Sequence, residues 1–123
     1  MTMQNTIPVV LTASTLEGDK VFNQHNEEVG KVEEIMLDIH AGHVAYVVIS
    51  FGGILGIGTK LFAVPWTALT VDTTRKCFVM DVDKDKLKNA PGFDKDNWPK
   101  EPSGQWFHDL YHFYGQQPYW SEI

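Results

Sequence analysis

The longest apolar run in the chain extends from Val44 to Phe51 and is interrupted only by Ser50. A run that is apolar at both odd and even positions predicts a strand covered on both of its faces. A glycine-rich connector follows. A second apolar run, Leu61–Val64, ends at Pro65, which cannot donate a hydrogen bond to a strand ladder. These two runs predict a central pair of strands joined by a loop.

Shorter strands are predicted on either side of this pair, at Lys20–Asn23, Lys31–Ile39, Thr70–Asp72 and Cys77–Val82. In the second of these, side chains alternate between two faces, so Ile35, Leu37 and Ile39 are expected to share one face. Gly42 can adopt a positive φ, which predicts a hairpin between this strand and the central one. Trp66–Leu69 is expected to form one helical turn.

The composition changes after Val82, where two short helices are predicted. Asp83 is placed to cap the first, which Pro91 and Gly92 follow, and Ser103 is placed to cap the second. The fold class is therefore mainly β: a small barrel of five to six strands with short C-terminal helices. We divide the chain into a flexible arm (1–13), the barrel (14–82) and a C-terminal extension (83–123). The helices of this extension pack on the barrel or on a partner.

Charge and cysteine content narrow the possible functions. The net charge is −6 and the chain has a single arginine, Arg75, so a phosphate-binding surface and a nucleic-acid partner are not expected. Cys77 is alone, which precludes an intramolecular disulfide. The N-terminus lacks the basic region of a secretory signal, and no segment is apolar over the roughly 18 residues of a membrane helix. We expect a cytoplasmic protein with no transmembrane segment.

Four segments carry a resemblance to a known family: Gly30–Asp38, Gly42–Gly53, Ala63–Leu69 and Asp81–Asp94. In this order they resemble the PRC-barrel domain, which is named after the photosynthetic reaction centre H subunit and also ends a ribosome maturation factor. The resemblance covers roughly residues 14–98. It implies a compact barrel that serves as a binding or adaptor module in a stand-alone bacterial protein. The family carries no catalytic residue set, so the resemblance implies none here.

Two motifs are candidates for ligand chemistry. Gly53–Lys60 has the glycines of a phosphate loop, but its lysine and threonine are transposed, and a strand follows where a helix N-terminus is needed. We interpret this segment as a connector. His108 and His112 are four residues apart on the last predicted helix and could face one metal ion, but the sequence assigns no third ligand. No cofactor and no catalytic residue are predicted.

Two stretches are candidates for partner binding. The loop after the central strand contains Ile54, Leu55 and Ile57, which either fold back on the barrel or form an adhesive surface. The C-terminal segment is rich in aromatic residues, a feature of protein interfaces. Its candidates are Trp106, Phe107, Tyr111, Tyr114 and Trp120. These aromatics surround more than one helix face, so they either pack on the barrel or contact another chain.

The resulting functional hypothesis is a non-enzymatic adaptor that acts through protein–protein contacts. Its expected partners are itself, as a homodimer or larger oligomer, and an unknown protein. The alternative is a small-ligand or metal-binding protein, or an enzyme, that uses the barrel mouth or His108 and His112. A third hypothesis, an accessory protein at a membrane complex, follows only from the likeness to the H subunit.

Overall fold

A computed structural model describes residues 7–52, 59–93, 98–99 and 103–120 of the chain. Within these residues, seven strands form one mixed sheet: β1 (Lys20–Asn23), β2 (Glu28–Asp38), β3 (His43–Gly52), β4 (Thr59–Val64), β5 (Leu69–Asp72), β6 (Cys77–Met80) and β7 (Gly92–Phe93). The helices are α1 (Ala13–Leu16), α2 (Lys84–Lys88) and α3 (Gly104–Phe113), and a 3₁₀ turn spans Trp66–Ala68. The mainly-β prediction with short C-terminal helices is confirmed.

The strand order is β5-β6-β1-β2-β3-β4-β7, so β5 and β7 are the two edges of the sheet. Neighbouring strands are antiparallel except β1 and β6, which are parallel. The described residues form seven strands where five to six were expected. The additional strand is β7, whose two residues pair with Leu61 and Phe62 of β4.

A tight hairpin joins β2 to β3, as the sequence predicts. The Asp38 carboxylate accepts hydrogen bonds from the amides of His40 and Ala41 at 3.0 and 3.1 Å. Gly42 adopts a φ of +71°, which a residue with a side chain rarely adopts. Farther along the hairpin, a Cβ atom at Gly30 would lie 2.5 Å from the carbonyl oxygen of Ser50. Glycine is therefore required there for the close approach of the two backbones.

The pairing of β2 with β3 shifts register twice. The first shift leaves Glu33 of β2 as an extra residue, and the second leaves Ala45 of β3 as one. Ile35 and Leu37 line the same groove, as the alternation along β2 predicts, but Ile35 packs against the core whereas Leu37 is 66% exposed. Ile39 lies beyond the end of β2 and is 86% exposed.

The sheet buries side chains on both of its faces. Val47, Ile49 and Phe51 of β3 belong to the main core, which also contains Phe62 and Phe78. Other residues of β3 and β4 form a second cluster on the opposite face of the sheet: Ala45, Tyr46, Val48, Leu61 and Ala63. Aromatic residues of α3 pack against this second cluster. The prediction that the longest apolar run is a strand covered on both faces is confirmed, and α3 supplies the second cover.

Candidate partner-binding surface

The helix α3 begins at the predicted cap. The Ser103 hydroxyl accepts a hydrogen bond from the amide of Trp106 at 3.2 Å, which satisfies one of the free N–H groups of the first turn. The helix then places Tyr111 against β3. The Tyr111 side chain is 1% exposed, and its hydroxyl donates a 2.6 Å hydrogen bond to the carbonyl oxygen of Ala45. This bond fixes the position of the helix on the sheet.

Aromatic contacts extend the packing of α3 in two directions. Toward the sheet, the centroid of the Tyr46 ring lies 5.3 Å from the ring centroid of Trp106 and 6.1 Å from the ring centroid of Phe107. On the other side, the chain after α3 returns and places Trp120 at 4.8 Å from Tyr111 and 5.8 Å from Phe107. The aromatics on more than one helix face are thus covered by the sheet and by the tail of the same chain.

The tail is attached to the β2–β3 hairpin. Tyr119 donates a 2.6 Å hydrogen bond to Asp38 Oδ2, and its ring stacks on His43 at 4.7 Å. The Tyr119 hydrogen bond, together with the amide bonds from the turn, lowers the pKa of the Asp38 carboxyl. Desolvation and the same bond raise the pKa of the Tyr119 hydroxyl. The contact therefore favours a charged Asp38 and a neutral Tyr119.

Burial also affects the other tyrosines. It raises the pKa of Tyr111 to about 12 and raises the pKa values of Tyr46 and Tyr114. The Tyr114 hydroxyl is buried and has no hydrogen-bond partner among the residues that the structure describes. Tyr114 therefore contributes its ring to the main core while its hydroxyl loses the hydrogen bonds that it makes to water in the unfolded chain.

The structure places the predicted partner-binding residues as follows. Tyr111 and Tyr114 are buried in the fold of their own chain. Trp106, Phe107 and Trp120 are half-buried, in contact with one another or with the sheet. Ile54, Leu55 and Ile57 lie outside the described residues. The own-chain packing that the sequence left open is therefore found for the aromatic segment.

The candidate metal residues are on the exposed side of α3. His108 and His112 are both exposed, and the His108 ring packs against Trp120 at 5.7 Å. In the part of the chain that the structure describes, no three His, Cys, Asp or Glu side chains converge as a metal site would require. His112 does line a groove of about 550 Å³ between α3 and the sheet edge, together with Trp106, Leu110, Phe113 and Phe93.

A different set of residues forms the exposed apolar surface of the described chain. Six large aliphatic side chains are exposed, four in residues 7–11 and two at the β2–β3 hairpin: Ile7 82%, Val9 80%, Val10 82%, Leu11 46%, Leu37 66% and Ile39 86%. From here on, the arm means residues 7–11, the part of the predicted segment 1–13 that carries these side chains. We call these six residues the apolar rim. The arm makes no backbone hydrogen bond with the rest of the described chain. It reaches α1 through Thr12, the N-cap of that helix.

Grooves connect the two parts of the apolar rim. Val9 and Leu11 of the arm line a groove of about 520 Å³ together with Leu37, Val44 and Val71. A second groove, of about 530 Å³, continues from Leu37 past Ile39 to Tyr119 and Trp120. Leu37 lines both grooves, so they join the arm and hairpin parts of the apolar rim, and the second groove continues to the tail.

Sequence reasoning did not select the apolar rim. One signal was present: the first 16 residues contain no Asp, Glu, Lys or Arg, although the chain carries a net charge of −6. The exposure of Leu37 and Ile39 had no such signal, because the alternation places both on one face with Ile35, which packs against the core.

These features define a small mainly-β domain whose sheet is covered on one face by a C-terminal aromatic helix. The chain belongs to the PRC-barrel domain family, whose model matches residues 8–87. This confirms the family predicted from the sequence.

A solved structure described as a proposed 16S ribosomal RNA processing protein, RimM, from Pseudomonas aeruginosa is similar. The identity is 19%, the TM-score is 0.42, and the match covers 61% of this chain and 45% of that one. This chain thus matches less than half the length of that protein. The search of curated proteins found no match. None of the helices in the described residues is long and apolar enough to cross a membrane.

Proposed function

We propose that this PRC-barrel protein is a non-enzymatic adaptor that acts through protein–protein contacts and associates with itself. The observation that supports this proposal is the apolar rim, where Ile7, Val9, Val10 and Ile39 are each at least 80% exposed. Monomeric proteins seldom leave contiguous apolar surface uncovered, and such surface marks sites of interaction. Burial of this surface against a partner contributes a favourable free energy of about 25 cal/mol for each Å² of apolar area removed from water.

The expected location of this adaptor is the cytoplasm. Cys77 is a free thiol and is buried in the core. A free, buried thiol suits a reducing compartment, where disulfides are rare.

Site-specific photo-crosslinking in cells that express the protein tests the adaptor function. A photoreactive residue at Ile39 is expected to give covalent adducts with a second copy or with another protein. The matched control is Gln24, an exposed polar residue in the turn between β1 and β2. Adducts at both positions in equal yield, or at neither, would contradict the proposal.

The alternative function, small-ligand binding, has one observation in its favour. The groove beside α3 has a volume of about 550 Å³ and an apolar lining that includes Trp106 and Leu110. This volume is within the range of small-molecule sites. A screen of small molecules by thermal shift tests it. A ligand that binds in the groove is expected to raise the midpoint temperature of unfolding of the native chain. It is not expected to raise that of Leu110→Trp, in which the larger side chain fills the groove.

The other alternative function, metal binding, is supported only by the spacing of His108 and His112 on α3. Elemental analysis of the purified protein tests it, with His112→Ala as the control. A stoichiometric metal that is lost in the variant would favour metal binding over the adaptor function.

A further inference from the structure

We propose that the groove between the β2–β3 hairpin, α3 and the C-terminal tail binds a small organic cation with a quaternary ammonium group. This groove, which we call the tail groove, has a volume of about 530 Å³. Sites for small molecules commonly fall in this range of volume. The inference goes beyond the adaptor function and does not depend on it, because the ligand is a free small molecule.

Aromatic rings form walls of the tail groove. Four of the described residues that line it are aromatic: Tyr46, Phe107, Tyr119 and Trp120. The ring planes of Tyr119 and Trp120 meet at 89°, and those of Phe107 and Trp120 meet at 71°. Rings at such angles face in different directions and can contact one ligand on more than one side. Because the face of an aromatic ring attracts a cation, sets of such rings bind quaternary ammonium groups.

A single negative charge lies beside these rings. Asp38 is the only charged side chain among the described residues that line the tail groove. The Tyr119 hydrogen bond, followed by the amide bonds from the turn, lowers the pKa of this carboxyl, so it is charged at neutral pH. The net charge of −6 also attracts cations to the surface of the chain. Charge therefore favours a cation over a neutral or anionic ligand.

The hydrogen bonds of Asp38 favour a cation that has no N–H groups. Its carboxylate accepts bonds from the amides of His40 and Ala41 at 3.0 and 3.1 Å and from the Tyr119 hydroxyl at 2.6 Å. A carboxylate has about four acceptor sites, so most of its capacity is already used. A primary ammonium has several N–H donors to satisfy, whereas a quaternary ammonium has none. Asp38 thus contributes its charge rather than new hydrogen bonds.

The remaining lining suits methyl groups rather than a metal ion. Met36, Leu37 and Ile39 contribute apolar side chains to the tail groove, and the last two are 66% and 86% exposed. Metal ions need several oxygen, nitrogen or sulfur ligands. Among the residues that the structure describes, no three His, Cys, Asp or Glu side chains converge in that way. A quaternary ammonium group matches this lining because it carries both a charge and methyl groups.

The groove beside α3 is less suited to a cation. It also has aromatic residues and one carboxylate, that of Asp109, but His112 lines it as well. A protonated histidine repels a cation, and no histidine is among the described residues that line the tail groove. Asp109 therefore provides a matched control for Asp38.

NMR titration of the full-length chain with choline tests the proposal. The control ligand is the uncharged analogue of choline in which carbon replaces the nitrogen, so that the shape is kept and the charge is lost. Choline is expected to shift the indole N–H signal of Trp120 and to bind at least about tenfold more tightly than the analogue. No saturable shift, or equal affinities for the two compounds, would overturn the proposal.

A quaternary ammonium group also occurs on lipid headgroups, and flotation with phosphatidylcholine vesicles distinguishes the two sources. Free choline is expected to bind whether or not vesicles are present. A chain that floats with the vesicles but does not bind free choline would show that the ligand is a membrane surface and would overturn the proposal.

Two substitutions that remove the same charge locate the site. Asp38→Asn removes the charge of the tail groove and is expected to weaken choline binding about tenfold. Asp109→Asn removes the charge of an exposed residue in the groove beside α3 and is expected to weaken choline binding less than about twofold. Equal losses in the two variants would contradict the assignment to the tail groove.

Substitutions of Trp120 test the role of the rings. Trp120→Leu keeps an apolar side chain but removes the aromatic face, and it is expected to weaken choline binding about tenfold. Trp120→Phe keeps a ring and is expected to retain most of the affinity. Thermal unfolding of each variant shows whether the fold is kept. Native affinity for choline in a folded Trp120→Leu chain would overturn the proposed site.

Discussion

The apolar residues at the two ends of the described chain differ in burial. The C-terminal segment, α3 and the tail to Trp120, holds its aromatics against the sheet and against one another, and Tyr111 is 1% exposed. The N-terminal arm leaves its aliphatic residues in solvent, with Val9 80% exposed. The abundant aromatic residues of the C-terminal segment therefore pack within their own chain, whereas the aliphatic residues of the arm stay exposed.

Hydrogen bonds explain much of the difference. The C-terminal segment is tied to the sheet by the Tyr111 bond to Ala45 and to the hairpin by the Tyr119 bond to Asp38. The arm has no such bond within the described residues. Because ordering a residue costs about 1–2 kcal/mol of backbone entropy, the hydrogen bonds of the C-terminal segment offset a cost that no hydrogen bond offsets in the described part of the arm.

The strongest prediction contrasts the removal of each end. A chain that ends at Pro99 is expected to lose cooperative unfolding, because Tyr46, Val48 and Ala63 lose the helix that covers them. A chain that begins at Thr12 is expected to keep its thermal midpoint as a monomer. Circular dichroism during heating measures both. A folded chain without α3 would show that the helix is not part of the domain.

One substitution in each end of the chain compares their contributions to the free energy of unfolding. Tyr111→Ala removes a buried aromatic ring and is expected to lower the free energy of unfolding by about 3–5 kcal/mol. Val9→Ala, at an exposed position, is expected to change it by less than about 0.5 kcal/mol when the protein is monomeric. Urea denaturation at low protein concentration measures both values. Similar losses would contradict the difference in packing.

Replacing each of two tyrosines by phenylalanine measures the contribution of the hydroxyl to stability while the packing of the ring is kept. Tyr111→Phe is expected to cost about 1–2 kcal/mol of unfolding free energy because the Ala45 carbonyl loses its donor. Tyr114→Phe is expected to be neutral or stabilising, because the hydroxyl that it removes is buried and has no partner in the described part of the chain. A larger cost at Tyr114 than at Tyr111 would show that the Tyr114 hydroxyl has an unseen role.

Alkaline pH tests the burial of the tyrosines together. The four tyrosines of the chain all have raised pKa values in the folded state, with Tyr111 at about 12. Their contribution to stability is complete below the unfolded pKa of about 10 and is lost as pH rises through the folded values. Tyrosinate absorbance is therefore expected to appear at higher pH in the native protein than in urea. Identical titrations would contradict the packing of the C-terminal segment.

The smallest effect is expected at the tail. Tyr119→Phe removes the hydrogen bond that contributes most to the lowered pKa of Asp38, so this pKa is expected to rise toward its ordinary value. In the native chain the contact stabilises the fold above the unfolded pKa of about 3.9 and is lost as pH falls through the lower, folded pKa. A carboxyl titration by NMR measures the shift. An unchanged Asp38 pKa would show that the tail is not held there.

Local features of the fold could be predicted from the sequence. The hairpin at Gly42, the end of β4 before Pro65 and the Ser103 cap each depend on the conformational limits of nearby residues. The covered strand Val44–Phe51 could be predicted because burial on both faces requires apolar residues at every position.

Features that depend on distant partners could not be predicted. β7 is a strand only because Gly92 and Phe93 pair with β4, and two residues carry no periodicity. Leu37 and Ile39 follow Ile35 in the same alternation, but only Ile35 packs against the core, so the exposure of the other two followed from no local pattern. The aromatic pattern of α3 was clear, but the sequence could not show that the tail covers its second face.

Amide hydrogen exchange at low and high protein concentration tests the central claim most directly. If the arm is the contact surface, the amides of Val9, Val10 and Leu11 gain protection as concentration rises, while that of Tyr111 is protected at both concentrations. Protection of the arm that is independent of concentration, or a gain confined to the C-terminal segment, would contradict this account.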